Sequence, residues 1–280
     1  MFIFTNIEMN TSRLAIVFDF DDTLTPDSTS AFLAFKGIEP GEFWDNEVNP
    51  LLLDDWDPVP AYLYALLNES GRNKLITKND FISFAANIQP YPGLCQLLDH
   101  LRNEVKIANP LVDMEYYIIS SGIEEIIRNC SFSHYFTDIW ASNFHYSENG
   151  AIEFPKKIIS FTDKTRYLFQ INKGLIGKPA RGKPFEVNKK VKQEQLRIPL
   201  RNMIYVGDGY TDIPCFSLLK QNEGFAIGVY DKHDRKKKDL AWAFVQDERV
   251  SNLLSADYSE GSDLCNTLEM AVRSILARIR

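Results

Sequence analysis

The chain has 280 residues, a net charge of −7, and 45% apolar and 25% charged residues, an ordinary globular composition long enough for one large domain or two unequal ones. The acidic balance argues against a general nucleic-acid binder, which needs a basic footprint, and four cysteines without CxxC spacing argue against a zinc site or disulfide framework and predict reduced thiols. The N-terminal MFIFTNIEMNTSR lacks the basic and long apolar regions of a signal peptide, and no stretch approaches the roughly 18 uninterrupted apolar residues of a membrane helix, so a soluble, cytoplasmic protein is expected.

The first predicted strand is Leu14–Phe18, which runs straight into Asp19, Asp21 and Asp22. A buried strand that ends in clustered negative charge is unfavourable unless something compensates it. A divalent cation such as Mg²⁺ selects such oxygen ligands, and a carboxylate beside a metal can act as a nucleophile. The bland alternative is an acidic turn that caps a helix.

Residues 27–89 follow, rich in aromatic and Leu residues at helical spacing, with Pro50, Pro58 and Pro60 separating them into several helices. Trp44, Trp56 and Tyr62 in this stretch either pack its own core or meet a ligand. The chain returns through the turn Pro90–Gly93 to a predicted helix over Gly93–Arg102.

A second strand, Tyr116–Ile119, leads into Ser120-Ser121-Gly122 and a helix over Ile123–Cys130. Hydroxyls and free backbone N–H groups at such a strand end bind phosphoryl oxygens or simply cap a helix. A helix over Thr165–Ile171 comes next, with Thr162 or Asp163 as its cap. Lys164 then sits in its first turn, where a cation is opposed by the helix dipole and wants an anionic partner. Lys173, near the far end, is the rival lysine.

Gly174–Pro199 carries Lys178, Arg181, Lys183, Lys189, Lys190, Lys192 and Arg197 against Glu186 and Glu194. It reads as a solvated loop or as a flap that attracts an anion. The run Arg235–Lys238 reads as solvated surface. Strands over Met203–Val206 and Phe225–Val229 bracket Gly207-Asp208-Gly209-Tyr210-Thr211-Asp212, where glycines beside Asp208 allow close backbone approach to a ligand and Asp208 and Asp212 can meet across a first helical turn. The C-terminal part, Asp257–Arg280, ends in an amphipathic helix. Strands alternating with helices predict an α/β, Rossmann-like, doubly wound and mainly parallel sheet, with the site beyond the carboxyl ends of the strands.

DFDDT at 19–23, IISSG at 118–122, Lys164 and GDGYTD at 207–212, in that order and at those separations, resemble the haloacid dehalogenase (HAD) superfamily of aspartate-nucleophile phosphohydrolases, in its phosphoserine-phosphatase-like branch. The resemblance covers most of residues 13–230. It implies a core of residues 1–26 and 90–280 and a small helical C1-type cap of 27–89. It implies a Mg²⁺-dependent phosphomonoesterase for a small phosphorylated metabolite, with no nucleic-acid or membrane partner. Asp19 would be the nucleophile, and Asp21 the acid and then the base. Ser120, Ser121 and Lys164 would bind the phosphoryl group, with Ser120 and Lys164 also counted as catalytic. Asp19, Asp208 and the backbone carbonyl of Asp21 would hold the metal, with Asp212 orienting a metal water or Lys164.

The resemblance also narrows the reading. Asp21 favours an oxygen leaving group over halide, and Lys36, Lys74 and Lys78, the cap lysines, carry no mark of an imine-forming base. Thr23 stands where phosphomutases have glycine. Ser28, with Asp27 beside it, stands where phosphoserine phosphatases carry a glutamate, which puts phosphoserine itself in doubt. A phosphotransferase and a catalytically idle binding protein of the same fold are the alternatives.

Overall fold

The computed structural model describes residues 12–72, 74–232, 242, 247 and 249–279. Both the N-terminal segment and the basic run Arg235–Lys238 lie outside the described residues. A seven-stranded sheet runs in the order β4-β3-β2-β1-β5-β6-β7. Its strands are β1 (Ser12–Phe18), β2 (Val112–Ile123), β3 (Asp138–Tyr146), β4 (Ile152–Lys157), β5 (Met203–Gly207), β6 (Phe225–Tyr230) and β7 (Asn252–Ser255). Every neighbouring pair is parallel except β3 and β4, which form an antiparallel hairpin at one edge.

The continuous apolar run of β1 has a direct cause. Leu14, Ile16 and Phe18 face one core cluster, and Ala15 and Val17 face the other. Side chains alternate along a strand, so a strand covered on both faces needs an unbroken apolar sequence. Between β1 and the helix α6 (Leu94–Ala108) lie α1 (Ser28–Phe35), α2 (Pro40–Glu42), α3 (Asn49–Leu53), α4 (Pro58–Arg72) and α5 (Lys78–Ala85), with one π-helical turn at Phe43–Val48 joining α2 to α3. Pro50 and Pro58 open helices instead of interrupting them, because a first-turn proline loses no intrahelical bond. Asp27 caps α1, and a reciprocal Thr77–Asp80 pair caps α5. The helical insertion shares its aromatic core with the sheet: Phe32 packs on Phe81, which stacks 6.2 Å from Phe144 of β3.

The remaining helices are α7 (Glu124–Asn129), α8 (Asp163–Lys173), α9 (Gly177–Ala180), α10 (Ile213–Gln221) and α11 (Asp263–Arg278). The apolar face of α11, with Leu264, Leu268, Val272 and Ile275, is buried in the main core against α6 and β7, so its partner is the chain itself. The four cysteines are free, and three of them are buried. Among the described residues no helix is long and apolar enough to cross a membrane.

Three expectations need correcting. Strands β3, β4 and β7 carry no clean apolar run and were not anticipated. Ser120, Ser121 and Gly122 do not follow β2 but lie within its last residues, where the pairing with β3 shifts register between Ile119 and Ile123; an irregularity of this kind re-aims side chains at a strand end. Thr162 is the N-cap residue of α8, as expected, but its side chain makes no capping bond, and Asp163 pairs with Arg166 at 3.0 Å.

Candidate active site

The carboxyl ends of β1, β2 and β5 converge on one cluster. Asp19, the first residue after β1, is anchored by its backbone N–H on the Val206 carbonyl of β5. Its Oδ1 accepts from the Phe20 N–H at 2.7 Å. Its Oδ2 accepts from Lys164 Nζ at 2.7 Å, and the same ammonium reaches Asp212 Oδ1 at 2.7 Å. Lys164 is fully buried. A lysine in that state requires paired carboxylates, and the two contacts push its pKa above the usual lysine range despite the opposing effect of burial. Lys173 is not in the site: its Nζ donates to the backbone carbonyls of Val187 and Lys189 and ties down the following loop.

Asp212 is held from three sides. Tyr205 Oη donates to Oδ1 at 2.7 Å, the Gly209 N–H donates to Oδ2 at 3.1 Å, and Lys164 completes the set. Its position also demands Gly207, because a Cβ there would lie 2.4 Å from Asp212 Oδ2. Asp208 accepts a bond from Thr23 Oγ1 at 3.3 Å. Carboxylate oxygens of Asp19, Asp208 and Asp212 all lie within 4.8 Å of one another.

Asp21 sits in a tight turn in which Leu24 N–H bonds the Phe20 carbonyl and Asp22 takes a left-handed conformation, φ 54°, which Asp tolerates better than most residues. Asp21 Oδ1 accepts from the Ser28 N–H at 2.7 Å, at the start of α1. Asp21 Oδ2 lies against Gly122, where a Cβ would come within 2.6 Å of it and 3.2 Å of Ser120 Oγ. The first and second motifs therefore meet at a glycine that admits no side chain. Ser120 is buried, and its Oγ accepts from the Gly122 N–H at 2.9 Å. Ser121 Oγ is buried and has no partner among the described residues. The Ser121 carbonyl accepts from Tyr62 Oη of α4 at 2.6 Å.

Burial is the main cause of the unusual protonation in this cluster. Asp21 is pushed up to about 8, first by burial and then by the charge of Asp27. Asp19 is pushed up to about 6 by burial and by Asp212, against the pull of Lys164. Asp208 is raised well above the carboxylate range by burial and then by Asp19 and Asp212. Three carboxylates facing one ammonium leave negative charge uncompensated, and their hard oxygen donors suit a small divalent cation. Both oxygens of Asp212 and of Asp19 accept protein donors, whereas Asp208 accepts one long bond from Thr23, so Asp208 is the carboxylate best placed to coordinate directly.

Of the three aromatic residues singled out in the insertion, only Tyr62 makes a contact to the motifs. Trp44 Nε1 donates to Ser30 Oγ at 2.8 Å, and Trp56 is half-exposed against Tyr64. Tyr205 was not foreseen, since an aromatic residue in a buried strand gives no sign of its hydroxyl partner. Thr23 was visible as the last residue of DFDDT but not as a partner of Asp208.

No protein-family model matches the chain. An uncharacterized protein from Borreliella burgdorferi is 24% identical over 284 residues, which cover 90% of this chain and 94% of that protein. Among solved structures, a HAD family hydrolase from Salmonella enterica serovar Typhi aligns with TM-score 0.57 at 14% identity over 86% of this chain, which spans 66% of that hydrolase, just under two thirds of its length. A phosphoserine phosphatase described as a phospho-aspartyl intermediate analogue aligns with TM-score 0.53 at 15% identity, covering 92% of this chain and 99% of the other. A probable phosphoserine phosphatase from Vibrio cholerae gives TM-score 0.59 at 12% identity, covering 97% of this chain and 68% of the other.

Proposed function

We propose that this chain, which has the fold shared by HAD family hydrolases and phosphoserine phosphatases, is a phosphomonoesterase that hydrolyses a small phosphorylated metabolite through an aspartyl-phosphate on Asp19. The observation that carries the reading is the fully buried Lys164 ammonium held between Asp19 and Asp212, with Asp208 beside them. A binding module has no need of a buried cation set against a carboxylate at a strand end.

In this reading Asp19 attacks phosphorus, and Lys164 offsets the charge that gathers on Asp19 and the transferring group. Asp21 is protonated at neutral pH when pushed up to about 8, so it can give its proton to the leaving oxygen. Once ionised, it takes a proton from the water that hydrolyses the acyl phosphate. Ser120 and Ser121 contribute hydroxyls to the phosphoryl oxygens, and the unpartnered Ser121 Oγ is available for that bond. Mg²⁺, held by Asp19, Asp208 and the Asp21 carbonyl, would neutralise phosphoryl charge and orient the group for in-line attack. Asp212 fixes Lys164 and does not react. The helices of the insertion stand over the acid: Ser28 holds Asp21 and Tyr62 holds the Ser121 carbonyl, which favours a small substrate over a macromolecule. Four free cysteines fit a reducing, cytoplasmic setting.

Phosphate release from p-nitrophenyl phosphate and a panel of metabolite phosphomonoesters, with Mg²⁺ and with EDTA, tests the assignment. Metal-dependent release that disappears in Asp19→Asn supports it. Release that persists in Asp19→Asn refutes the nucleophile.

A further inference from the structure

Beside the residues of this cluster, β3 and helix α8 line an open pocket of about 730 Å³, within the usual range for small-molecule sites. None of Asp19, Asp21, Ser120, Asp208 and Asp212 lines it. Its wall on α8 is Arg166, Tyr167 and Gln170, and Lys164 is not among the lining residues. Asp138, which also lines it, opens β3, two strands across the sheet from β1 and Asp19.

The lining gathers six basic side chains, Arg128, Lys156, Lys157, Arg166, Arg181 and Lys183, against the acids Glu124 and Asp138. In a chain of net charge −7 that concentration is not a consequence of composition. The two acids are already neutralised. Glu124 accepts from Arg128 Nε at 2.6 Å, from Lys157 Nζ at 2.6 Å and from Asn143 Nδ2 at 2.8 Å. Asp138 accepts from Arg128 at 3.4 Å and from the Gly177 N–H at 2.7 Å, which fastens the basic loop to the cavity wall. Arg181 and Lys183 on that loop remain as surplus positive charge at the rim.

Two polar atoms point to a ligand. Asn143 is 9% exposed, yet its Oδ1 is buried without a hydrogen-bond partner among the described residues, and so is Arg166 Nε. Buried groups of this kind are usually satisfied. One is an acceptor and one a cationic donor on a guanidinium that also meets Asp163 and Tyr167, and an occupant with an anion and a hydroxyl would satisfy both.

We infer that this cavity is a second, non-catalytic site for a hydroxylated phosphate ester, a sugar phosphate or nucleotide, with its phosphate toward Arg166, Arg181 and Lys183 and a hydroxyl on Asn143 Oδ1. Guanidinium and ammonium groups bind phosphate oxygens through charge-assisted bonds. The basic loop is then a wall of a binding site, and the site is independent of the phosphatase reading.

The test is calorimetric titration of ribose 5-phosphate into the full chain in EDTA, beside Asp19→Asn, the rim double variant Arg181→Ser/Lys183→Ser, and Asn143→Leu, which removes the acceptor at similar volume. The rim residues are exposed, so their loss leaves the fold intact. Binding retained in Asp19→Asn and weakened at least about tenfold in the rim variant and in Asn143→Leu is the expected result. Absence of binding at millimolar ribose 5-phosphate, binding unchanged in the rim variant, or binding lost only in Asp19→Asn overturns the site.

Discussion

Lys164 and Asp212 form an ion pair in which neither side chain is exposed, with Nζ 2.7 Å from Oδ1. The same ammonium reaches Asp19, so the electrostatics of the whole cluster hang on it. Removing one partner of a buried pair leaves an uncompensated charge and costs about 3–5 kcal/mol. Lys164→Ala is expected to lower the unfolding free energy by that amount and to abolish turnover. Lys173→Ala, which releases only two backbone carbonyls of a surface loop, is expected to leave kcat unchanged. Chemical denaturation and steady-state assay of the two variants check this, and the opposite ranking would move the catalytic lysine.

The pH profile should be bell-shaped. Turnover needs Asp19 ionised and Asp21 protonated. Asp21 is pushed up to about 8, so kcat/KM falls as pH rises through that value. Asp19 is pushed up to about 6, so activity falls as pH drops through it, and a bound cation, which favours the ionised form, shifts this acid limb lower. Asp21→Asn should lose most activity and the alkaline limb together; a limb near 8 that survives in the variant would assign it to another group.

Magnesium should stabilise the fold before any substrate is added. Carboxylates of Asp19, Asp208 and Asp212 converge within 4.8 Å, and a cation that binds only the folded state adds about 2.7 kcal/mol at a hundred times its dissociation constant. A rise in Tm with Mg²⁺ over EDTA, lost in Asp208→Asn, is the expected outcome of thermal unfolding. An equal rise in the variant would place the metal elsewhere.

Two glycines should tolerate no methyl group. Gly122→Ala sets a Cβ 2.6 Å from Asp21 Oδ2, and Gly207→Ala sets one 2.4 Å from Asp212 Oδ2. Overpacking of this kind costs about 1–3 kcal/mol, and it displaces the acid in one case and the lysine's partner in the other. Circular dichroism should remain native while activity falls at least about tenfold, the loss that a 1.4 kcal/mol rise in the barrier produces. Native activity in either variant would contradict the geometry.

The sequence showed the strand ends clearly because their chemistry is local. An apolar run that stops at Asp19, or at Gly207-Asp208, needs no tertiary information to stand out. Strand β3 was illegible for the opposite reason: Asp138 and Asn143 look like loop residues until Arg128 and Gly177 bond the first and Glu124 takes the amide of the second across the fold. Strand β4 is an edge with the exposed Lys156 and with Pro155, which suits an edge and masks a strand signal. Tyr62 was visible as an aromatic residue at helical spacing, but spacing alone does not separate a core tyrosine from one whose hydroxyl reaches the Ser121 carbonyl. Lys164 was marked only by its unfavourable place at a helix N-terminus, and its pairing with Asp19 and Asp212 explains why it is tolerated there.

The central claim is that Asp19 carries the phosphoryl group. Rapid acid quench of the wild-type chain turning over its best phosphomonoester, followed by peptide mass analysis, tests it most directly. The account predicts a phosphoryl mass increment on the peptide containing Asp19, absent from Asp19→Asn and longer-lived in Asp21→Asn. Turnover with no phosphorylated peptide, together with full activity in Asp19→Asn, would contradict it.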